Sequence, residues 1–309
     1  MILSTSIKNL LSRFDPETAI RMMSQAGFDA IDFSYTGKDY AAKYCGPDTD
    51  SPTFRDYLKG LRAMAEDASV PFVHAHAPMP SSSTDPIRDK ECFDAIVRSI
   101  RNSSYLGISK IVVHPVQHLT YAEPGVPERL FEMNVEFYNR LKPYCEEYNM
   151  QVAVENMWQR DENRKISHST CSRPAEFQRY VDALDSKWFV ACLDLGHARL
   201  VDEDPAAFIK ALGGSRLKSL HVHDVDGVHD NHTLPYQGVI DWESVMRALA
   251  EIGYEGEFNY EAVCYLNKTP NELLLAGMRH MVEVGRYLIS RFEAYRAEFQ
   301  NTEGKPPIL

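Results

Sequence analysis

The chain lacks three features that would each have fixed its class: a Cys-x-x-Cys pair, a run of basic residues, and an apolar stretch approaching the ~20 residues of a membrane span. Its six cysteines, at positions 45, 92, 145, 171, 192 and 264, are scattered, which excludes a dense disulfide framework or a zinc ribbon and reads as reduced structural thiols. With no basic run and a formal net charge of -11 at pH 7, the surface repels a phosphate backbone, so the expected partner is a small molecule and not nucleic acid. The opening Met-Ile-Leu-Ser-Thr-Ser-Ile-Lys shows no basic segment followed by an apolar stretch and a cleavage site. The expectation is a cytoplasmic protein with no membrane partner; a homo-oligomer or a partner subunit is compatible with this composition.

What is present is an enzyme-like balance of 44% hydrophobic and 25% charged residues, enough apolar material for a large core. Short β-rich runs alternate with longer stretches of helical periodicity, the pattern of βαβ units around a parallel sheet. Eight such runs, at 2–7, 30–35, 72–77, 110–116, 151–157, 189–195, 217–224 and 257–263, predict an α/β fold, a single (β/α)8 TIM barrel. An open doubly wound sheet more often uses five or six strands. No linker divides the chain, so residues 1–300 are expected to form the barrel and 301–309 a C-terminal tail. The loops after the second and fifth runs, 36–53 and 158–173, are long for βα connections and are candidate substrate walls, to which Tyr35, Tyr40, Tyr44 and Trp158 would lend apolar faces.

Residues at the carboxyl ends of barrel strands carry the chemistry in this architecture. Here those ends are rich in metal-ligand types: His74 and His76 on the third run, His114 on the fourth, Glu155 on the fifth, Asp194 and His197 at the sixth. The seventh ends in His221, His223 and Asp224, with Asp230 and His232 in the loop beyond it, and the eighth carries Glu261. Side chains alternate across a strand, so Ala153, Cys192 and Asn259 share the inward face of Glu155, Asp194 and Glu261, while Val154, Leu193 and Tyr260 face the helices. Carboxylates gathered inside a barrel mouth need neutralising, and a divalent cation is the simplest means. Glu155, Asp194, His221 and Glu261 are therefore read as a metal site, its oxygen-rich donors favouring Mn²⁺, with Co²⁺, Mg²⁺ and Zn²⁺ also compatible. A lone strand histidine is more often a hydrogen-bonded structural residue, which is the alternative for His74 and His223; Asp224 and Asp230 can equally be solvated loop acids or helix caps.

The segments Val-Glu-Asn-Met at 154–157, Leu-Asp-Leu-Gly-His-Ala at 193–198 and the stretch from His221 to Trp242 resemble the sugar phosphate isomerase/epimerase family of the xylose isomerase-like TIM-barrel superfamily. That superfamily also holds endonuclease IV, the ketohexose 3-epimerases and the inosose dehydratases, and the resemblance runs from about the third strand to the eighth. In the ketohexose epimerases a glutamate, an aspartate, a histidine and a glutamate on strands five to eight bind one metal, which implies Glu155, Asp194, His221 and Glu261 here. The histidine three residues after the aspartate, His197, is implied to hold substrate. Those epimerases carry an arginine six residues after the strand-seven histidine, where this chain has Gly227, which argues against a plain ketohexose substrate. The endonuclease IV pattern of nine ligands for three zinc ions also finds a matching residue at His76, His114, Glu155, Asp194, His197, His221, Asp230, His232 and Glu261. An additional metal at Asp230 and His232 is compatible with that pattern. In a small-molecule enzyme His76, His114, His197 and His232, with Trp158, become the expected substrate contacts.

The implied enzyme is a metal-dependent sugar isomerase or epimerase of carbohydrate metabolism, in which the ion polarises a carbonyl and stabilises an enediolate while Glu155 and Glu261 remove and return a proton, assisted by His197. Loss of a substituent from the same enolate would make it a lyase, deglycosylating a 3-oxo-glycoside or dehydrating an inosose; an abasic-site hydrolase of endonuclease IV type is opposed by the acidic charge. The loop after the seventh run offers Asp224, Asp226 and Asp230 and no glycine-rich phosphate cradle, which favours an unphosphorylated sugar or polyol-derived ketone. Arg160, Arg164 and Lys165 read as a solvated rim.

Overall fold

The computed structural model describes residues 1–303. Eight strands follow in chain order: β1 Leu3–Ser6, β2 Ala30–Ser34, β3 Phe72–His76, β4 Lys110–Val113, β5 Gln151–Glu155, β6 Phe189–Asp194, β7 Leu217–His221 and β8 Phe258–Tyr260. Each of the first six pairs in parallel with the next, and β8 pairs in parallel with β1. The ring closes between β7 and β8 just past the strand end, where Val222 N–H donates to the Asn259 carbonyl at 2.9 Å and the Val222 carbonyl accepts from Glu261 N–H at 3.0 Å. The fold is the expected (β/α)8 TIM barrel, with helices between the strands.

Helix starts follow from local chemistry. Asp15, Ser51, Asp85, Asp204 and Asp241 each accept a first-turn N–H, and all but Asp241 precede a proline at the first helical position. The strands stop earlier than the β-rich runs suggest: β7 ends at His221 and β4 at Val113, and the residues beyond them build the barrel mouth. The long loops are also more ordered than expected. Residues after β2 form a helix, Lys38–Cys45, and a 3-10 turn, Pro47–Asp50; those after β5 form an antiparallel hairpin of Trp158–Arg160 and Ile166–His168. Tyr35 and Tyr44 do not face the mouth; both are buried and stack edge-on against Phe33, at 5.0 and 5.1 Å, leaving Tyr40 and Trp158 as aromatic walls. The final helix, Asn271–Glu303, runs through the start of the expected 301–309 tail, the rest of which lies outside the described residues. Among the described residues no helix is long and apolar enough to cross a membrane.

The barrel interior has two characters. Val112, Ala153, Val190 and Cys192 form a small apolar cluster of their own inside β4, β5 and β6, while Val154, Leu193 and Tyr260 belong to the large core between barrel and helices, as strand alternation requires. The other half is a hydrogen-bonded layer: His74 Nδ1 donates to Asp32 at 2.8 Å, His74 Nε2 lies 2.8 Å from Ser219 Oγ, and Ser4 Oγ donates to Asn259 Oδ1 at 2.8 Å. These groups are buried, and unpaired they would destabilise the fold by about 1–3 kcal/mol each. His74 is therefore a structural residue beneath the mouth.

A second buried acid lies outside the barrel, at the start of the helix Pro174–Asp182. Burial pushes the Glu176 carboxyl up to about 7, against the Tyr121 hydroxyl and Arg173, and its Oε2 has no hydrogen-bond partner. An unfolded glutamate ionises near 4.3, so as pH rises between the two values the unfolded chain sheds its proton first and the fold loses stability. Glu176→Gln should leave stability unchanged near pH 4 and raise it at pH 8 by on the order of 2–3 kcal/mol. Denaturant melts of both proteins at the two pH values check this; equal stability at pH 8 would refute it.

Candidate functional site

Each strand end delivers its residue to the mouth because the inward parity set within the barrel continues to the last residue. Glu155 ends β5, Asp194 ends β6, His221 ends β7, and Glu261 follows β8 directly. His221 Nδ1 lies 2.9 Å from Glu155 Oε1, 3.1 Å from Glu261 Oε2 and 3.9 Å from Asp194 Oδ2. Beside this set, His114 Nε2 and His76 Nε2 approach Glu155 Oε2 at 3.1 and 3.6 Å. On the other flank Asp230 sits between His197 Nε2 at 3.6 Å and His232 Nε2 at 3.2 Å, and Trp158 Nε1 donates to it at 3.3 Å. All ten residues singled out in the sequence thus meet in one mouth, whereas Arg160, Arg164 and Lys165 are exposed on the hairpin.

The rings are held in place by the backbone. His76, His197 and His232 each turn Nδ1 onto a main-chain carbonyl, that of Ala77 at 2.7 Å, Asn156 at 2.9 Å and Glu261 at 2.9 Å. A carbonyl only accepts, so Nδ1 carries hydrogen and Nε2 points into the site. Asp194 caps the short helix Leu195–Leu200 by accepting from His197 N–H at 2.6 Å, and that helix swings His197 over the mouth. His223 Nε2 lies 3.0 Å from both Asp194 oxygens and stacks on His232 at 3.9 Å, so it props the aspartate. A side chain at Gly196 would strike the His223 ring, with its Cβ 2.1 Å from Cε1. Asp224 is neither solvated nor a helix cap. It is buried and accepts from the N–H groups of Val225, Tyr236 and Ile240 and from Trp242 Nε1, which ties down the loop after β7.

The acids and imidazoles of the mouth hold one another charged. Burial disfavours charge on Glu155, yet the His221 and His114 imidazoles hold its carboxyl well below the usual range; burial likewise opposes charge on Glu261, and His221 and His232 outweigh it. In return, against burial, Cys192, Glu261 and Glu155 lift His221 well above the usual imidazole value, Asp194 and Asp230 do the same for His197, and Asp230 with Glu261 raises His232 to about 9. Glu155 Oε2 is buried and accepts no hydrogen bond, although two imidazole nitrogens converge on it. Three donor groups have atoms within 4.8 Å of one another: Glu155, Asp194, His221 and Glu261; His76, Glu155 and His221; and His197, His223, Asp230 and His232. The donor chemistry and the orphaned oxygen fit a divalent cation.

A cavity of about 430 Å³ opens beside these residues, lined by His76, His221, Asn259 and Glu261 and, across from them, by Lys8 and Tyr40. Lys8 and Asn9 are absent from the expected site. The signal existed in Ser-Ile-Lys-Asn at 6–9, a strand end whose polar residues are not metal-ligand types. Lys8 Nζ donates to Thr36 Oγ1 at 3.1 Å and to the Thr36 carbonyl at 2.5 Å, which fixes it at the cavity wall. The Asn156 side chain, outside the expected site, accepts from Asp194 N–H at 2.7 Å and donates to the Asp194 carbonyl at 2.9 Å, locking β6 to β5 beside the clustered donors.

A family model described as a xylose isomerase-like TIM barrel matches residues 20–284. An uncharacterized Sinorhizobium fredii protein is 26% identical over 157 residues, 50% of this chain and 48% of that one, so the match spans about half of that relative. Fructoselysine 3-epimerase of Shigella flexneri is 22% identical over 268 residues, 83% of this chain and 88% of the enzyme. Among solved structures, a D-tagatose 3-epimerase-like protein superposes with a TM-score of 0.72 at 23% identity, covering 97% of this chain and 100% of that one. The 3-keto-D-glucoside 4-epimerase of E. coli gives 0.68 at 15% identity over 92% and 99% of the two chains. The IOLI protein with a bound zinc atom gives 0.70 at 16% over 96% and 99%. At these identities the structural likeness is one of fold.

Proposed function

Since the chain belongs to the xylose isomerase-like TIM-barrel family, we propose that it is a metal-dependent isomerase or epimerase acting on an unphosphorylated sugar or polyol-derived ketone. The observation that carries this reading is the convergence of Glu155, Asp194, His221 and Glu261, one donor atom from each lying within 4.8 Å of the rest. A divalent ion held there supplies a Lewis acid that polarises a substrate carbonyl and stabilises negative charge on its oxygen. Three carboxylates and one imidazole suit Mn²⁺, and the zinc atom of the IOLI structure supports Zn²⁺ as an alternative. Asp230 and His232, with His197, form a candidate place for an additional ion.

The chain's own groups then divide the work. Glu261 lines the cavity and is 22% exposed, so its carboxylate faces a bound sugar and takes the proton beside the carbonyl, later losing it to solvent; Glu155, 1% exposed and linked to Glu261 through His221, is the second acid, which delivers a proton of its own to carbon and is reprotonated from solvent. His197, fixed by the Asn156 carbonyl, orients a substrate hydroxyl, and His76, His114, His232 and Trp158 complete the contacts. The names of fructoselysine 3-epimerase and 3-keto-D-glucoside 4-epimerase support a substituted sugar as substrate, in line with Gly227. The same enolate chemistry would make a lyase if a leaving group stood next to the abstracted proton.

Incubation of metal-loaded protein in D₂O with ketoses and 3-keto-glycosides tests this. Deuterium beside the carbonyl without net loss of sugar is the expected outcome; release of water or aglycone would make the enzyme a lyase, and no exchange on any substrate would overturn the proposal. The acidic balance of -11 further predicts no nicking of abasic duplex at ~150 mM salt, which a plasmid or oligonucleotide assay reads directly.

A further inference from the structure

The cavity beside Glu261 has a neighbour on the far side of the His76–His114 contact. The second, about 490 Å³, lies over the ends of β3, β4 and β5 and is lined by Ser82, His114, Gln117, His118, Trp158 and Gln159. Met79 lines both. His76 lines the first and His114 the second, and their Nε2 atoms are 3.1 Å apart. A separate hollow of about 190 Å³, lined by Phe93 and Arg140 among others, shares Ser81, Ser82 and His118 with the second cavity. A molecule centred on the metal ligands therefore has built space on two sides, and the first cavity alone is within the ~300–1,000 Å³ range of a small-ligand pocket.

The second cavity has a distinct chemistry. No Asp, Glu, Lys or Arg lines it among the described residues, so nothing there matches a phosphate or carboxylate. Its polar groups are neutral amides, a hydroxyl and an imidazole, beside the indole of Trp158. They are held in place: Ser82 Oγ lies 2.8 Å from His118 Nδ1, and Ser169 Oγ accepts from Gln159 Nε2 at 3.2 Å and donates to Gln117 Oε1 at 3.3 Å. Oriented neutral hydrogen-bonding groups next to an aromatic ring match the alternating hydroxyl and C–H faces of a sugar.

We propose that this second cavity is a subsite for a further uncharged sugar ring, and that the substrate is a keto-glycoside of disaccharide size whose reacting ring sits at Glu155 and Glu261. The proposal rests on the functional reading above. Its test compares methyl 3-keto-glucoside with the 3-keto forms of an α- and a β-linked glucose disaccharide, using Mn²⁺-loaded protein. Calorimetric titration should show one of the disaccharides binding at least ~10-fold tighter than the methyl glycoside, since a second ring with fixed partners adds contacts at little ordering cost. Saturation-transfer NMR should place that second ring against protein. Ser82→Trp, which fills the cavity, and His118→Ala, which removes a partner without adding bulk, should each bring the affinity ratio close to one. Equal affinities in the wild type, or a ratio untouched by both variants, would overturn the subsite. Failure of the functional reading looks different: the compounds bind with the expected ratio, yet none exchanges deuterium beside its carbonyl.

Discussion

Glu155→Gln and Glu261→Gln should each lower turnover at least ~10²-fold, the low end of what a positioned general acid or base contributes. Glutamine keeps the shape and one oxygen of glutamate but does not take a proton from carbon. Both carboxyls are held in the ionised form by neighbouring imidazoles, His221 and His114 for Glu155 and His221 and His232 for Glu261, with burial opposing. The fold should survive, because each replacement removes a buried charge from a crowded mouth. Turnover, metal content and solvent-proton exchange must be measured together at saturating ion, so that lost chemistry is told apart from lost metal. Wild-type exchange in either metal-replete variant would remove that glutamate from the proton path, and in both would end the mechanism.

Stripping the protein with a chelator should abolish exchange and lower its melting temperature, and Mn²⁺ at a hundredfold excess over its Kd should restore about 2.7 kcal/mol of stability. The cause is local. Glu155, Asp194 and Glu261 crowd around one imidazole, and Glu155 Oε2 has no hydrogen-bond partner, so a cation relieves repulsion present in the folded state alone. A melting temperature indifferent to Mn²⁺, Co²⁺, Mg²⁺ and Zn²⁺, with activity intact after chelation, would show that the cluster is no metal site.

The barrel could be read from the sequence because its signals are local. Short β-rich runs alternating with helical periodicity depend on neighbouring residues, and inward parity at Ala153 and Cys192 follows from counting along a strand. The convergence of acids and imidazoles was legible for the same reason: once each strand end is located, the barrel brings the ends together. What escaped depends on contacts between distant segments. Tyr35, just past β2, and Tyr44, on the helix Lys38–Cys45, looked like pocket walls but pack on Phe33, because the face each presents is set by that contact. Asp224 looked like a loop acid, yet its partners Tyr236, Ile240 and Trp242 lie 12 to 18 residues away and only the folded loop supplies them. Lys8 went unnoticed because its place at the cavity is set by Thr36, on the next strand's loop.

The carbonyl anchors of His76, His197 and His232 bear on how such a protein changes over evolutionary time. A main-chain acceptor stays in place whatever side chain its residue carries, so no single substitution at Ala77, Asn156 or Glu261 deletes the group that aims these rings. His221 and His223 instead lean on the carboxylates of Glu155 and Asp194, and a change in either partner releases them. Drift in the cavity walls, at positions such as Lys8, Tyr40 or Gln117, can then retune which sugar is accepted while the reactive centre keeps its aim. If the proposed function holds, relatives of this chain should diverge first in the cavity walls and last in the acids and imidazoles of the mouth.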